Sequence, residues 1–192
     1  MLLSTLALGA ALVAGDTVTA APVAWTVDPA HSEVSFRVRH LTGRVRGNFK
    51  DYTASLSADP AQLSTGTVTV DVKTASVNTE NEKRDGHLRS PDFFDVEKFP
   101  SMTFKSTRVE ANGKEIAITG DLTIKGVTKP VVLKGTFNGK VVDPWGKERL
   151  GFEVSGTIDR RDFGLTWNKL VEGSSLVGDE VTIDIAIEAV KS

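Results

Sequence analysis

The chain has 192 residues, enough for one well-buried domain and short for two. It contains no cysteine, which excludes a disulfide framework, thiol catalysis, cysteine metal ligands and a lipid-modified cysteine anchor. Its 23 Lys and Arg against 25 Asp and Glu give a net charge of −2, too close to neutrality for a nucleic-acid binder that draws its affinity from cationic contacts to phosphate.

Leu2 to Ala14 is nearly all apolar or small, is broken by Gly15 and Asp16, and leads through Val18-Thr19-Ala20 to Ala21-Pro22. This pattern predicts a secretory signal peptide over residues 1–20, cut after Ala20, and export to a periplasm. A retained anchor is the weaker alternative, because the run is shorter than the roughly 20 apolar residues that span a bilayer. No Lys or Arg precedes Leu2, as a translation start upstream of Met1 would explain. Cleavage removes one acid, Asp16, and leaves residues 21–192 as a single domain with 23 basic against 24 acidic residues.

Trp25 to Pro29 is a short extended segment, and Val34, Phe36 and Val38 then alternate with Ser35, Arg37 and Arg39 in a first long strand. Gly43 and Gly47 are turn signals within 41–50. Tyr52 to Ser57 and Gly66 to Val72 are two further strands, the second with Val68, Val70 and Val72 on one face. Residues 77–99 break the pattern. Thr79 followed by Glu82 fits a capping box, and Ser90-Pro91 fits an N-cap with proline in the first turn, so two short helices are predicted near 78–99. Strands resume over Ser101 to Val109, Glu115 to Lys125, Pro130 to Asn138, Glu148 to Asp159 and Glu180 to Val190. Asn112-Gly113, Gly126-Val127-Thr128 and Asn138-Gly139 are read as hairpin turns between them.

The last strand has the plainest pattern: Val181, Ile183, Ile185 and Ile187 share one face, and Thr182, Asp184, Ala186 and Glu188 the other. With about eight such strands and no large helix, the sheet must bury its apolar face against itself. The expected fold is all-β, an eight-stranded antiparallel barrel with a short helical insertion, and eight strands enclose space for side chains or for one small ligand. Strand parity points Phe36, Val38, Val70, Met102, Phe104, Leu122, Ile124, Phe152, Val154, Ile183 and Ile185 inward as candidate ligand contacts. Leu88, Phe93 and Phe94 are placed to close the mouth, and Trp167 near it. The alternative for each is ordinary core, since barrel interiors are filled whether or not a guest enters.

No constellation for catalysis emerges. His31 and His40 are nine apart and face opposite ways on a regular strand, His31 and Glu33 would supply only two ligands, and His87 looks either into the mouth or into water. G-x-S-x-G and phosphate-binding glycine loops are absent, and Ser155 lies within a strand. No catalytic residue, metal or cofactor is therefore assigned. Arg37, Arg39, Arg44, Arg46 and Lys50 form a basic run with no acid until Asp51. They are either a rim for an anionic membrane surface or, for Arg37 and Arg39, cross-strand partners of Asp184 and Glu188.

Trp25-Thr26-Val27-Asp28-Pro29-Ala30-His31-Ser32, the stretch Lys83 to Asp95, Phe99-Pro100-Ser101-Met102-Thr103-Phe104, Gly120 to Thr128 and Ile158 to Gly164 together resemble the YceI-like family, in order over residues 24–190. The resemblance implies a lipocalin-like barrel, usually exported to the bacterial periplasm, whose members bind polyisoprenoids or fatty-acid derivatives; it implies no catalysis. The expectation is an exported lipid-binding protein that holds a long apolar ligand for transport, storage or sequestration. A stress-related interaction module with a filled core, acting through its surface, is the alternative. A transient membrane-surface contact and a homodimer remain open.

Overall fold

A computed structural model describes residues 23–171 and 173–192. The expected signal peptide over 1–20 lies outside the described residues. The strands are β1 (Val23–Val27), β2 (Glu33–His40), β3 (Gly43–Phe49), β4 (Tyr52–Ala58), β5 (Thr67–Lys73), β6 (Val77–Asn78), β7 (Ser101–Asn112), β8 (Glu115–Ile124), β9 (Val127–Val142), β10 (Glu148–Asp159), β11 (Leu170–Val171), β12 (Ser174–Ser175) and β13 (Val177–Lys191). One helix, α1 (Glu82–Arg89), follows β6.

Eight antiparallel strands close a ring in the order β1, β4, β5, β7, β8, β9, β10, β13, with β13 returning to β1 through Trp25↔Lys191 and Val27↔Ala189. The expected eight-stranded barrel is what the chain forms. β13 is long enough to hold two partners on one edge: β1 runs beside 189–191 and β2 beside 177–186. β3 pairs with β2 along its length, but its outer edge meets β6 only at Asn48 and Phe49. From Gly43 to Gly47 that edge has no strand neighbour among the described residues. Arg44 and Arg46 put charge on the open edge, the usual defence against pairing with another chain.

The ring is shut at the β1 end by a small core of Trp25, Ala58, Leu150 and Ala189, on which Leu56, Phe137, Phe152 and Ile187 pack. Trp25 donates its indole Nε1–H to the carbonyl of Ala58 at 3.1 Å, so the ring is buried with its polar atom satisfied. Outside this floor, Arg149 bonds Asp143 at 2.8 Å, Asp28 at 2.9 Å and Glu188, joining the loop after β1 to β10 and β13. Arg149 first and His31 second hold the Asp28 carboxyl at about 2, and Arg149 likewise lowers Asp143. The unfolded chain therefore takes up protons before the native one does, so this stabilisation is complete above the ordinary carboxylate range and is lost as pH falls through the native values. Urea midpoints should fall between about pH 4 and pH 2, and Arg149→Ala should lower the midpoint at pH 7 while flattening that acid dependence.

Three local expectations are corrected, two by competing side-chain hydrogen bonds and one by strand pairing. The N-cap of α1 is Asn81, whose Oδ1 accepts from the Arg84 amide at 3.0 Å, because Thr79 spends its hydroxyl on Asp85 at 2.5 Å. The second helix does not form: Ser90 donates its hydroxyl to the carbonyl of His87 at 2.8 Å, ending α1, and residues 91–97 turn around the Ser90 carbonyl instead. Asn138-Gly139 is not a turn but a β-bulge, since Phe152 opposes Phe137 and Gly151 opposes Gly139, leaving Asn138 as the extra residue. The turn comes later, where Asp143 accepts from the amides of Trp145 and Lys147, both at 2.9 Å. The β8–β9 turn is Lys125-Gly126, both with positive φ (50° and 77°) as a two-residue hairpin loop needs, so Val127 and Thr128, expected in the turn, already pair with β8.

Candidate functional site: an apolar hollow with an aromatic mouth

Inside the ring lies a hollow of about 710 Å³. Its wall is the inner face of the sheet. Phe36 and Val38 come from β2, Val70 from β5, Met102 and Phe104 from β7, Leu122 and Ile124 from β8, Phe152 and Val154 from β10, and Ile183 and Ile185 from β13. Leu88, Phe93, Phe94 and Trp167 face it from the segments that cross the open end. Every residue that parity pointed inward is on this wall.

The burial of β13 shows why this is a hollow and not a solid core. Val181, Ile183, Ile185 and Ile187 point inside the ring, yet each is only half-buried, as are Phe36, Val38 and Val70. An inward side chain can keep accessible surface only if space lies beside it. Met102, Phe104, Leu122 and Ile124 are packed more tightly. The interior is open rather than filled.

The mouth is built by two excursions. Residues 79–100 carry α1, Phe93 and Phe94; residues 160–176, between β10 and β13, carry Trp167. Phe93 and Trp167 are tilted against each other with centroids 5.3 Å apart, and His87 meets both edge-on, at 5.1 Å and 4.7 Å. His87 therefore looks into the mouth, with Nε2 bonded to Asp92 at 2.8 Å. Arg160 positions Trp167 from beneath. Its side chain is buried and donates to the carbonyls of Gly178 and Trp167, both at 2.9 Å, and of Leu165, and it pairs with Asp179 at 3.1 Å. Burial pushes the Arg160 pKa down, and Asp179 opposes that shift.

The sequence reading left His87 open between mouth and water, and the structure puts it in the mouth; it missed Arg160 and Phe49 as parts of this site. Phe49 lies at 6 % exposure between Phe36 and Phe94, with centroids 5.7 Å from each. Its signal was the alternation Val45, Gly47, Phe49, obscured because Gly43 and Gly47 read as turns. Gly47 is instead a seat for Phe36: a Cβ there would stand 2.5 Å from the ζ carbon of that ring.

The polar outer face corrects one pairing. Arg37 grips Asp184 with two bonds, Nε at 2.8 Å and Nη2 at 3.1 Å, as expected. Arg39 does not reach Glu188, because β2 leaves β13 at Ala186 and Glu188 belongs to the opposite end, beside Arg149; Arg39 donates to the carbonyl of Leu41 instead. His31 and Glu188 come together with Asp28, each offering one atom within 4.8 Å of the others, but Arg149 already pairs with both carboxylates and supplies their positive charge.

The family model of the YceI-like domain matches residues 25–189. A UPF0312 protein of Pseudomonas fluorescens strain SBW25 is 41 % identical over 191 residues, 98 % of this chain and 96 % of that protein. The crystal structure of a Campylobacter jejuni YCEI protein is 40 % identical with a TM-score of 0.70, over 80 % of this chain and 90 % of that one. A polyisoprenoid binding domain from Saccharophagus degradans, implicated in plant cell wall breakdown, shares the fold at 16 % identity and a TM-score of 0.66, over 88 % and 99 %.

Proposed function

The chain belongs to the YceI-like family, and on that premise we propose that it is an exported binding protein that holds one long apolar molecule, a polyisoprenoid or fatty-acid derivative, inside its barrel for transport, storage or sequestration. The observation that carries this reading is the unfilled apolar hollow of about 710 Å³, a volume in the range of small-molecule sites. Its wall is made chiefly of Val, Ile, Leu, Phe and Met, which shelter a hydrocarbon but cannot polarise a bond, so the reading is of binding rather than catalysis. Each buried methylene contributes about 0.8 kcal/mol, so a tail burying about twelve supplies on the order of 10 kcal/mol before the cost of ordering it. Few polar contacts are then needed. The Saccharophagus degradans domain, of the same fold, supports the ligand class.

The hollow argues against the rival, a stress-related interaction module, because that reading depends on a filled core. Passage of a lipid in and out calls for a membrane, and the mouth is the end that would touch it. There Leu41, Leu170 and Val171 are exposed beside Arg44 and Lys169, with Leu41 and Lys169 both hydrogen-bonded to Leu176. Native mass spectrometry of protein recovered from the periplasm tests ligand and export together. The expected spectrum shows a chain beginning at Ala21 and carrying one extractable long-chain lipid; repeated recovery of empty protein with no affinity for prenyl or acyl lipids overturns the reading.

A further inference from the structure

Two turns stand beside the opening of the hollow and carry apolar side chains into water. Leu41 lies in the β2–β3 turn, and Leu170 and Val171 form β11, in the hairpin with β12. Leu41, Leu170 and Val171 are 37 %, 75 % and 42 % exposed. The two turns are joined: the Leu41 amide donates to the Leu176 carbonyl at 2.9 Å, and the Leu176 amide donates to the Lys169 carbonyl at 2.8 Å. His40 and Leu176, next in the chain to these elements, line the hollow. Leu41 holds φ at 48°, a left-handed conformation that turns ordinarily give to glycine or asparagine. A bulky apolar residue is kept there against the preference of its backbone.

Behind these apolar tips the outer face of the sheet is basic. Arg39 stands opposite Arg44 and Arg37 opposite Arg46, two like-charged cross-strand pairs of the kind that destabilise a sheet. Among the described residues, Arg37 alone of the four pairs with a carboxylate, Asp184. Asp179, in the adjoining bulge of β13, is taken by Arg160 and Arg161, and Glu180 beside it forms no ion pair with Arg39. Lys169 adds a cation next to Leu170, and Glu172 is the one acid in the hairpin sequence. Arg39 and Arg44 lie about 7 Å along their strands from the turn, inside one Debye length at physiological salt of any surface that the turn touches.

Apolar tips flanked by cations fit the interface of an anionic bilayer, where hydrocarbon receives the first and lipid phosphates the second. A second copy of the chain is a poorer fit, because a two-fold contact brings the same arginines together. An added strand is opposed as well, since the open edge of β3 carries Arg44 and Arg46. We propose that this rim is a docking surface for an anionic membrane: Leu41, Leu170 and Val171 enter the interface, and Arg39, Arg44 and Arg46 lie against its phosphates. The inference rests on the lipid-binding reading above and adds to it the surface by which the barrel meets the source of its guest.

The test sediments the purified full chain with vesicles of phosphatidylcholine alone and with vesicles of equal parts phosphatidylcholine and phosphatidylglycerol. Binding to the anionic vesicles should be more than about tenfold tighter, and it should weaken as the salt is raised. Residues 1–22 contain no Lys or Arg, so substitutions at the rim isolate its share whether or not that segment is retained. Arg44→Gln with Arg46→Gln should cost about tenfold on the anionic vesicles and little on the neutral ones. Leu170→Ser with Val171→Ser should cost severalfold on the anionic vesicles. Leu41→Asn should weaken vesicle binding while leaving the thermal midpoint unchanged or raised, because asparagine accepts the left-handed backbone that leucine resists. Equal binding to both kinds of vesicle, or an anionic preference unmoved by the two arginine substitutions, overturns the proposal. So does a concentration-dependent dimer that Leu170→Ser with Val171→Ser dissociates, since the rim then belongs to a second copy. In each of these outcomes native mass spectrometry still reads the lipid inside the barrel, so the lipid-binding reading stands or falls on its own result.

Discussion

Ile183→Phe together with Ile185→Phe is expected to lower affinity for a long-chain ligand by about a hundredfold while leaving the barrel folded, with its unfolding midpoint unchanged or raised. Both side chains point into the ring from β13, opposite Phe36 and Val34 of β2, and both are half-buried because free volume lies beside them. In a filled core, two added rings would force neighbours off their rotamers at about 1–3 kcal/mol each. Here the rings enter vacant space and gain apolar burial, so stability is spared and the room for a guest is what disappears. Thermal denaturation and a prenyl-lipid titration on the same sample separate the cases. A variant that loses stability but still binds would show that the interior is packed and that the ligand sits elsewhere.

Gly135→Ala is expected to give the largest loss of stability of any single methyl addition, more than about 4 kcal/mol, with failure to fold as the extreme. Gly135 lies in β9 opposite Val154 of β10, and a Cβ there would stand 1.9 Å from the Glu153 carbonyl oxygen and 2.7 Å from the Val154 Cα. Both obstacles are backbone, and the two strands belong to a closed ring, so they cannot part without opening it. Gly86→Ala provides the contrast: nothing lies within 4 Å of its added Cβ, and in the middle of α1 alanine should stabilise by up to about 1 kcal/mol. Urea denaturation of the two variants checks both signs. A loss under about 1 kcal/mol at Gly135 would mean that β9 and β10 are further apart than described.

Where one residue's surroundings are decided by its nearest neighbours in sequence, the reading succeeded. The two faces of β13 separate as Ile183 and Asp184 suggest, and the bounds of β10 follow from its alternation and the turn residues around it. Where two local signals compete, it failed. Thr79 has the chemistry of a cap but meets Asp85 and Arg84, and Asn138-Gly139 has the chemistry of a hairpin but lies opposite a continuous strand that absorbs it as a bulge. Gly47 failed for a third reason, since the ring that needs its missing Cβ, Phe36, is brought there by the β2–β3 hairpin. The hollow itself is not written in parity. Alternation says that Phe36 and Ile183 point inward, but whether opposite walls meet depends on how the strands tilt and stagger around the ring.

The unfilled middle ties folding to occupancy. Methyl groups that face a void forgo the dispersion contacts that a solid interior would return to them, so the empty barrel is held together by less than its size could provide. A hydrocarbon inside completes the packing, and the free energy of its capture is then also free energy of folding: saturation at about a hundred times the dissociation constant adds about 2.7 kcal/mol. The cargo is in that sense the last side chain of the core, borrowed rather than encoded.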